Sequence, residues 1–222
     1  ALIQAQLDLY PTTEHLESTT AAEETIQMVT EQNERLSKLV RTLLDMSELQ
    51  TVARNDRIEL HSLIEEVLTD LEPLAQEKKV ELIQASQGAG KKADEELFLT
   101  GSDILIYRML YNLVENAIKY NRNDGTVTVS AIKEKNEVVL TVSDTGNGID
   151  EAFREQIFEP FFRIDKSRSR ELGGVGLGLA IVREIVRVHD GTIEVYANKH
   201  RGMTFEVKMR IGQKNDGIRN TK

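Results

Sequence analysis

Apolar residues between positions 26 and 49 recur three and four places apart, as on one face of a helix. They are Ile26, Val29, Leu36, Val40 and Leu43. A shorter helical stretch, ALIQAQLDLY, comes first and is stopped by Pro11, so the sequence predicts two antiparallel helices joined by a polar loop. Because such a hairpin buries little apolar surface alone, the stripe predicts a homodimeric four-helix bundle; packing onto the rest of the chain is the alternative.

After the polar stretch TVARND, short β-type segments alternate with amphipathic helices. Strands are predicted near residues 58–60, 79–84, 96–100, 126–132, 137–143, 191–197 and 203–211. Helices are predicted near 61–77, 102–121, 150–157 and 176–189. The expected fold class is therefore α+β, in which a helical hairpin precedes an α/β sandwich with helices layered on a mixed sheet.

The same patterns predict the domain limits. The helical hairpin is expected at residues 1–52, a linker at 53–57 and the α/β sandwich domain at 58–212. The last residues, 213–222, have no apolar pattern and are expected to form a flexible tail.

Composition narrows the possible classes of function. The chain has 222 residues, 40% of them hydrophobic, and no cysteine, which excludes disulfides, thiolate metal sites and a cysteine nucleophile. Its net charge of −9 argues against a general nucleic-acid surface. No apolar run approaches the roughly 18 residues of a membrane span. We therefore expect a soluble globular protein with a substantial core.

The stretch GGVGLGLAIV, residues 173–182, places four glycines in and before the start of an apolar helix. Glycine permits close backbone approach and helix N-termini attract anions, so this stretch predicts a phosphate-bearing ligand. A P-loop is excluded because Leu179 and Ala180 follow Gly178, where Lys and then Ser or Thr are required. The dinucleotide pattern also fails, since its last glycine position falls on Ile181.

Three further segments each allow two interpretations. Polar residues on one face of a predicted helix either bridge neighbouring elements or bind Mg²⁺ and phosphate; they are Asn112, Asn116, Lys119 and Tyr120. Asp144, followed by TGNG, either forms a turn or accepts a hydrogen bond from an adenine amino group. The loop 163–170 holds four basic residues and one acid, and is either a solvated face or a lid over phosphates.

In chain order, the segments NLVENAIKYN, DTGNGI, FEPFFR, GGVGLGLAIV and GMTF resemble the N, G1, F, G2 and G3 boxes of bacterial sensor histidine kinases. These boxes cover most of residues 105–206. Upstream, NERLSKLVRTLLDMSEL resembles the second helix of that family's dimerization and phosphoacceptor domain. The resemblance implies a cytoplasmic kinase core whose ATP-binding domain has the fold shared with gyrase and Hsp90.

The resemblance also implies a role for each matched residue. Asn116 would hold Mg²⁺ with Asn112 near the phosphates, Asp144 would bind the adenine amino group, and Thr204 would support the adenine pocket. The other implied ATP-binding residues are Lys119, Tyr120, Gly146, Gly148, Ile149, Phe162, Arg163, Lys166, Arg168, Gly174, Gly176, Leu177 and Gly178. Met203 departs from the commoner Gly-x-Gly-Thr of the last box, with little consequence expected.

The same fold also serves ATPases, where a glutamate one helical turn before the magnesium asparagine activates water. Asn112 stands at that position here, and Glu115 is expected to point away from the asparagine face. Phosphoryl transfer to a protein nucleophile is therefore favoured over hydrolysis.

The family's phosphoacceptor motif is not present in the sequence. His15 follows Pro11 in the predicted loop, and the other histidines, His61, His189 and His200, are predicted to be surface or capping residues. We expect a fragment cut just after the acceptor, able to bind Mg-ATP but without a catalytic acceptor and inactive in autophosphorylation.

The parent protein is expected to be anchored in the bacterial cell membrane, with this domain in the cytoplasm. It would transfer the γ-phosphate of ATP to a histidine and then to an aspartate of a response regulator. Expected partners are ATP, Mg²⁺, the receiver domain of that regulator and a second copy of the chain. The alternatives are an ATPase of the same fold and a noncatalytic dimerization or scaffold module.

Overall fold

The computed structural model describes residues 25–30, 33, 37, 49, 51–85, 97–164 and 176–211. The chain divides into two compact units, residues 1–47 and 48–222. In the first unit the described residues are helical, and the Thr30 hydroxyl donates to the Ile26 carbonyl one turn earlier, at 2.8 Å. The rest of the predicted hairpin lies outside the described residues, and the predicted domain limits stay a prediction.

The described part of the second unit contains seven strands and three α-helices. The strands are β1 (Asp56–Glu59), β2 (Val80–Gln84), β3 (Phe98–Gly101), β4 (Gly125–Glu134), β5 (Glu137–Asp144), β6 (Thr192–Ala197) and β7 (Met203–Arg210). The helices are α1 (Leu60–Lys78), α2 (Asp103–Lys119) and α3 (Gly178–Val188). The predicted α+β class is confirmed, and each of these elements coincides with a predicted one to within a few residues.

Five strands form a mixed sheet in the order β2-β4-β5-β7-β6. Strand β2 runs parallel to β4, and the other neighbours are antiparallel. The short strands β1 and β3 form a separate antiparallel pair, although the sequence suggested a single mixed sheet. Each of these two strands has four residues and is followed almost at once by a helix, which leaves little length for joining the larger sheet.

The core lies between the five-stranded sheet and the helices. Along β4, buried residues alternate with half-buried ones, as expected for a strand with one face on a core. Helix α2 buries eight apolar side chains: Leu105, Ile106, Met109, Leu110, Leu113, Val114, Ala117 and Ile118. Burial of one large aliphatic side chain contributes about 1.5–3 kcal/mol to the free energy of folding. The eight buried side chains therefore decide which face of α2 packs on the core, and so which face is turned outward.

The prediction of a helix at residues 150–157 was wrong. Two short 3₁₀ turns, Glu151–Phe153 and Gln156–Phe158, stand in its place. The Phe153 ring packs near Phe162 and the Phe158 ring packs near Phe205, so the aromatic side chains fix the path of this segment. A helix this short needs tertiary packing to persist, and Pro160 prevents its extension.

Within the part of the chain that the structure describes, no helix has the length and apolar character needed to cross a bilayer.

Candidate functional site

The predicted asparagine face of α2 lies against the first residue of α3. A Cβ added to Gly178 would lie 2.9 Å from Asn112 Oδ1 and 3.6 Å from Asn116 Nδ2, so any larger residue at 178 would displace Asn112. Asn112 is held by its Nδ2, which donates to the Arg108 carbonyl at 2.7 Å. The structure therefore brings the asparagine face and the glycine-rich segment together.

Two groups at this junction have hydrogen-bonding capacity that the described part of the chain does not use: the side chain of Asn116 and the first-turn N–H groups of α3. Within the described residues, the half-buried Asn116 side chain makes no hydrogen bond. Leu177, the N-cap of α3, is apolar, and no side chain of the described residues caps the first-turn N–H groups of that helix. Unpaired N–H groups at a helix start suit a phosphate, and an amide oxygen beside them suits a hard cation such as Mg²⁺.

Lys119 and Tyr120 lie at the C-terminal end of α2, about one helical turn beyond Asn116. Lys119 Nζ forms an ion pair with Glu115 Oε1 at 2.7 Å, one helical turn earlier. Tyr120 is the C-cap residue, with 48% of its surface exposed. Its carbonyl oxygen would lie 2.6 Å from a Cβ on Gly146, so that glycine is needed where α2 meets the end of β5.

Asp144 ends β5 and is only 9% exposed. Its Oδ1 accepts hydrogen bonds from the Gly146 N–H at 2.8 Å and the Met203 N–H at 3.3 Å. Burial raises the pKa of this carboxyl, and the two N–H bonds oppose that shift. No described residue donates to Oδ2, which leaves that oxygen available to a donor on a ligand.

The loop between β6 and β7 closes tightly on Asp144. Gly202 has φ +86°, and a Cβ there would lie 1.9 Å from the Asp144 carbonyl oxygen. Since that neighbour is backbone, only glycine fits at this position. The structure thereby confines the acid from two sides, by the turn after β5 and by this loop.

Asn198, which the sequence interpretation did not identify, holds this loop in place. Its Nδ2 donates to the Asp144 carbonyl at 2.8 Å and to the Met203 carbonyl at 3.1 Å. Its Oδ1 accepts from the hydroxyl of Thr204 at 2.6 Å, and Thr204 Oγ1 also lies at hydrogen-bond distance from Ser143 Oγ, 3.0 Å. An asparagine four residues before a glycine was the available sequence signal, and it is common to many turns.

A second unpredicted link joins the end of α2 to the residue after Asp144. The hydroxyl of Thr145 accepts from the Thr126 N–H at 2.8 Å and donates to Asn121 Oδ1 at 3.3 Å. Asn121 in turn donates to the Thr126 carbonyl at 3.1 Å. These bonds fix the position of the C-terminal end of α2 relative to β4 and β5.

The remaining predicted residues lie at the edges of the site. Gly176 has φ +78° and packs on the Phe162 carbonyl and on the Arg163 side chain. Arg163 Nη2 is buried and has no hydrogen-bond partner in the described part of the chain, so it can take an anionic oxygen. Gly148 has φ +80° and open space around it.

The Ile149 N–H donates to Met203 Sδ at 3.3 Å, a contact that depends on the methionine in the last box. Leu177 is buried at the start of α3. Three predicted residues lie outside the described residues: Lys166, Arg168 and Gly174.

Residues 101–213 match the sequence family of histidine kinase-, DNA gyrase B- and HSP90-like ATPases. The sensor-like histidine kinase SenX3 of Mycolicibacterium smegmatis is 33% identical over 187 residues, which cover 82% of this chain and 46% of the relative. The sensor histidine kinase WalK of Bacillus subtilis is 32% identical over 196 residues, covering 85% of this chain and 31% of the relative. The chain thus spans less than half the length of these relatives.

Solved structures share the fold. The catalytic domain of histidine kinase ThkA superposes with a TM-score of 0.61 at 26% identity, covering 72% of this chain and 97% of that domain. A structure of ThkA in complex with the response regulator TrrA gives a TM-score of 0.69 at 23% identity, covering 95% of this chain and 57% of that one.

The α/β sandwich, with glycines and amides meeting at one helix junction, defines a nucleotide-binding domain. The chain belongs to the family of histidine kinase-, DNA gyrase B- and HSP90-like ATPases, and within it to the catalytic ATP-binding cores of bacterial sensor histidine kinases.

Proposed function

We propose that residues 103–204 bind Mg-ATP at the junction of α2, α3 and the end of β5. The observation that carries this proposal is the contact of Gly178 with Asn112 and Asn116 beside an uncapped helix start. The first-turn N–H groups of α3 would donate to phosphate oxygens, and the helix dipole would favour their negative charge. Arg163, whose buried Nη2 has no partner among the described residues, would contact the same phosphates.

Asn116 would hold Mg²⁺ through Oδ1, with Asn112 beside it. The fit is chemical, since an amide oxygen that has no hydrogen-bond partner among the described residues is a ligand that a hard cation accepts. When bound, the ion would neutralise charge on the β- and γ-phosphates. Lys119 would line the nucleotide while it keeps its ion pair with Glu115.

Asp144 would recognise the adenine ring. Its Oδ1 is occupied by two backbone N–H groups, so Oδ2 would accept from the adenine amino group. Gly146 and Gly148 would let the ring approach, and Ile149 and Phe162 would flank it. Thr204 would support the pocket through its bonds to Ser143 and Asn198.

The pairing of Glu115 with Lys119 favours phosphoryl transfer over hydrolysis. A general base must reach a water beside the γ-phosphate, whereas this carboxylate is bonded to Lys119 one turn further along the helix. The side chain of Asn112 is an amide, and its oxygen is not basic enough to act in place of that carboxylate. An ATPase of this fold is therefore the second candidate, and a noncatalytic scaffold is the third.

The parent protein would transfer the γ-phosphate to a histidine and then to an aspartate on a response-regulator receiver domain. The curated relatives are named sensor histidine kinases, and the ThkA structure contains a response regulator, which supports a partner of that kind. A homodimer through the helical hairpin, a cytoplasmic position for this domain and a membrane anchor elsewhere in the parent complete the proposal. The chain itself would bind Mg-ATP without autophosphorylating.

Calorimetric titration of the 222-residue chain with a non-hydrolysable ATP analogue and Mg²⁺ tests the proposal. Micromolar-range binding is expected for the chain, weakened at least tenfold by Asp144→Asn, because the new amide places a donor against the adenine amino group. Asp124→Asn, in the exposed turn before β4, is the matched control and should bind as the parent sequence does. Absence of binding by the unmodified chain would favour the scaffold.

A further inference from the structure

Helices α2 and α3 run antiparallel and touch at both ends. At one end Gly178 meets Asn112 and Asn116. At the other end the Ser102 N–H, at the N-cap of α2, donates to Nε2 of His189, the C-cap residue of α3, at 3.1 Å. With a rise of about 1.5 Å per residue, the two contact points lie about 15 Å apart along the helix pair.

Only the neutral imidazole satisfies the contacts of His189. Nδ1 lies 2.8 Å from the Ile185 carbonyl, which can only accept, so Nδ1 carries a proton. Nε2 accepts from the Ser102 N–H and therefore carries none. A second proton, on Nε2, would place two donors, Nε2–H and the Ser102 N–H, against each other. The ring also has little room to turn, because a Cβ on Gly101 would lie 3.0 Å from its Cδ2 and Nε2.

The surroundings favour the neutral form. Burial lowers the pKa of His189 and the nearby Arg54 cation lowers it further, whereas the Ile185 carbonyl and Asp190 act in the opposite direction. Beside it, Asp56 Oδ2 accepts from the Asp103 N–H at 3.1 Å, so the start of α2 has two separate side-chain acceptors. Of these two acceptors, His189 is the one supplied by α3.

We propose that neutral His189 is a positioning residue of the nucleotide site. Its bond to Ser102 fixes how far α3 slides along α2, and that register holds Gly178 against the amides of Asn112 and Asn116. The inference rests on the proposed nucleotide binding. Protonation of the ring, or loss of its acceptor nitrogen, would loosen the register and weaken nucleotide binding without any change in a residue that touches the nucleotide.

The test compares the 222-residue chain with His189→Gln, His189→Leu and the control His61→Gln. Each is titrated with a non-hydrolysable ATP analogue and Mg²⁺ between pH 8 and pH 5.5. Gln can accept from the Ser102 N–H but does not titrate in this range, whereas Leu cannot accept. Within the described residues, no hydrogen bond joins the side chain of His61, in the first turn of α1, to α2 or α3.

Because burial lowers the pKa of His189 from its ordinary value, the unmodified chain should lose affinity as the pH falls through that lowered pKa. The ratio of its Kd to that of His189→Gln should rise about threefold to tenfold between pH 8 and pH 5.5, the effect of one lost hydrogen bond. This ratio cancels the titration of the nucleotide phosphates and of Asp144. His189→Leu should bind several-fold more weakly even at pH 8, and His61→Gln should follow the unmodified chain.

Parallel pH profiles for the unmodified chain and His189→Gln would overturn the positioning role, as would unchanged affinity of a folded His189→Leu at pH 8. If His189→Leu does not fold, the ratio against His189→Gln still decides. Failure of the unmodified chain to bind at pH 8 would instead contradict the proposed function. In an NMR titration of the imidazole, saturating nucleotide should lower the His189 pKa further, because linkage is reciprocal.

Discussion

Asp144 illustrates at the residue scale how a binding group can weaken the fold that carries it. The carboxyl is buried at the end of β5, and burial raises its pKa despite two backbone N–H donors. A raised pKa in the folded state means that ionisation costs free energy of folding. That cost is absent at low pH and complete once the pH exceeds the raised pKa.

Asp144→Asn should therefore stabilise the nucleotide-free domain at pH 7 while it weakens nucleotide binding. We expect a Tm increase of roughly 2–4 °C at pH 7, the range that about 1 kcal/mol produces in a protein of this size. Since both side chains are neutral in strong acid, the difference should shrink as the pH approaches 4. Thermal unfolding followed by circular dichroism at the two pH values measures it.

Asp124→Asn, made at an exposed turn position, is the matched control for the Asp144 substitution. A lower Tm for Asp144→Asn at pH 7 would mean that the two N–H donors outweigh the desolvation of the charge, contrary to the direction of the pKa shift.

At the scale of elements, the loop between β6 and β7 matters because it touches the end of β5. Gly202→Ala would place a methyl group 1.9 Å from the Asp144 carbonyl oxygen, a clash that no rotamer relieves. Gly148 has a similar positive φ but open space around it. The two alanine variants therefore separate backbone strain from steric contact.

Gly148→Ala should cost about 1–2 kcal/mol, the penalty of an L-residue in the left-handed region. Gly202→Ala should cost more than about 3 kcal/mol or prevent folding, because the loop must also move away from β5. Urea unfolding of both variants gives the comparison. Equal stability of the two would show that the loop does not press on Asp144 in solution.

The elements themselves were largely predictable, because each carries its own periodicity. The alternation in β4 and the apolar stripe of α2 extend over ten residues or more, so local pattern suffices. The segment 150–157 lacks that length. Its path depends on ring contacts of Phe153 with Phe162 and of Phe158, which follows the segment, with Phe205 far along the chain.

The contacts that shape the site were not predictable for the same reason. His189 bonds to a residue 87 positions away, and Asn198 bonds to one 54 positions away. The sequence interpretation assigned His189 to a surface or capping role, and a cap is part of what it forms. Which helix it caps depends on the packing of α3 against α2, which no local pattern contains.

At the scale of the whole molecule, the second compact unit begins before its first strand. Leu49 belongs to that unit and is 1% exposed, and Arg54 Nη1 donates to the carbonyls of Leu49 and Val52. Asp56 accepts a hydrogen bond from the backbone at the start of α2, and the Arg54 cation lies close enough to His189 to lower its pKa. Arg54 and Asp56 therefore connect the chain around the start of β1 to the two helices that carry the proposed nucleotide site.

Polypeptides of residues 48–222 and 55–222 should differ accordingly. The longer one should bind the ATP analogue within about twofold of the full chain, because every residue proposed to contact the nucleotide lies within it. The shorter one lacks Leu49, and loss of a buried leucine should lower its stability by about 1.5–3 kcal/mol. Urea unfolding and calorimetry of both polypeptides measure these two effects. Sedimentation should find 48–222 monomeric if the hairpin forms the dimer.

Equal stability of the two polypeptides would show that residues 48–54 contribute nothing to the fold of this unit, and the inferred link from this segment to α2 and α3 would fail with it.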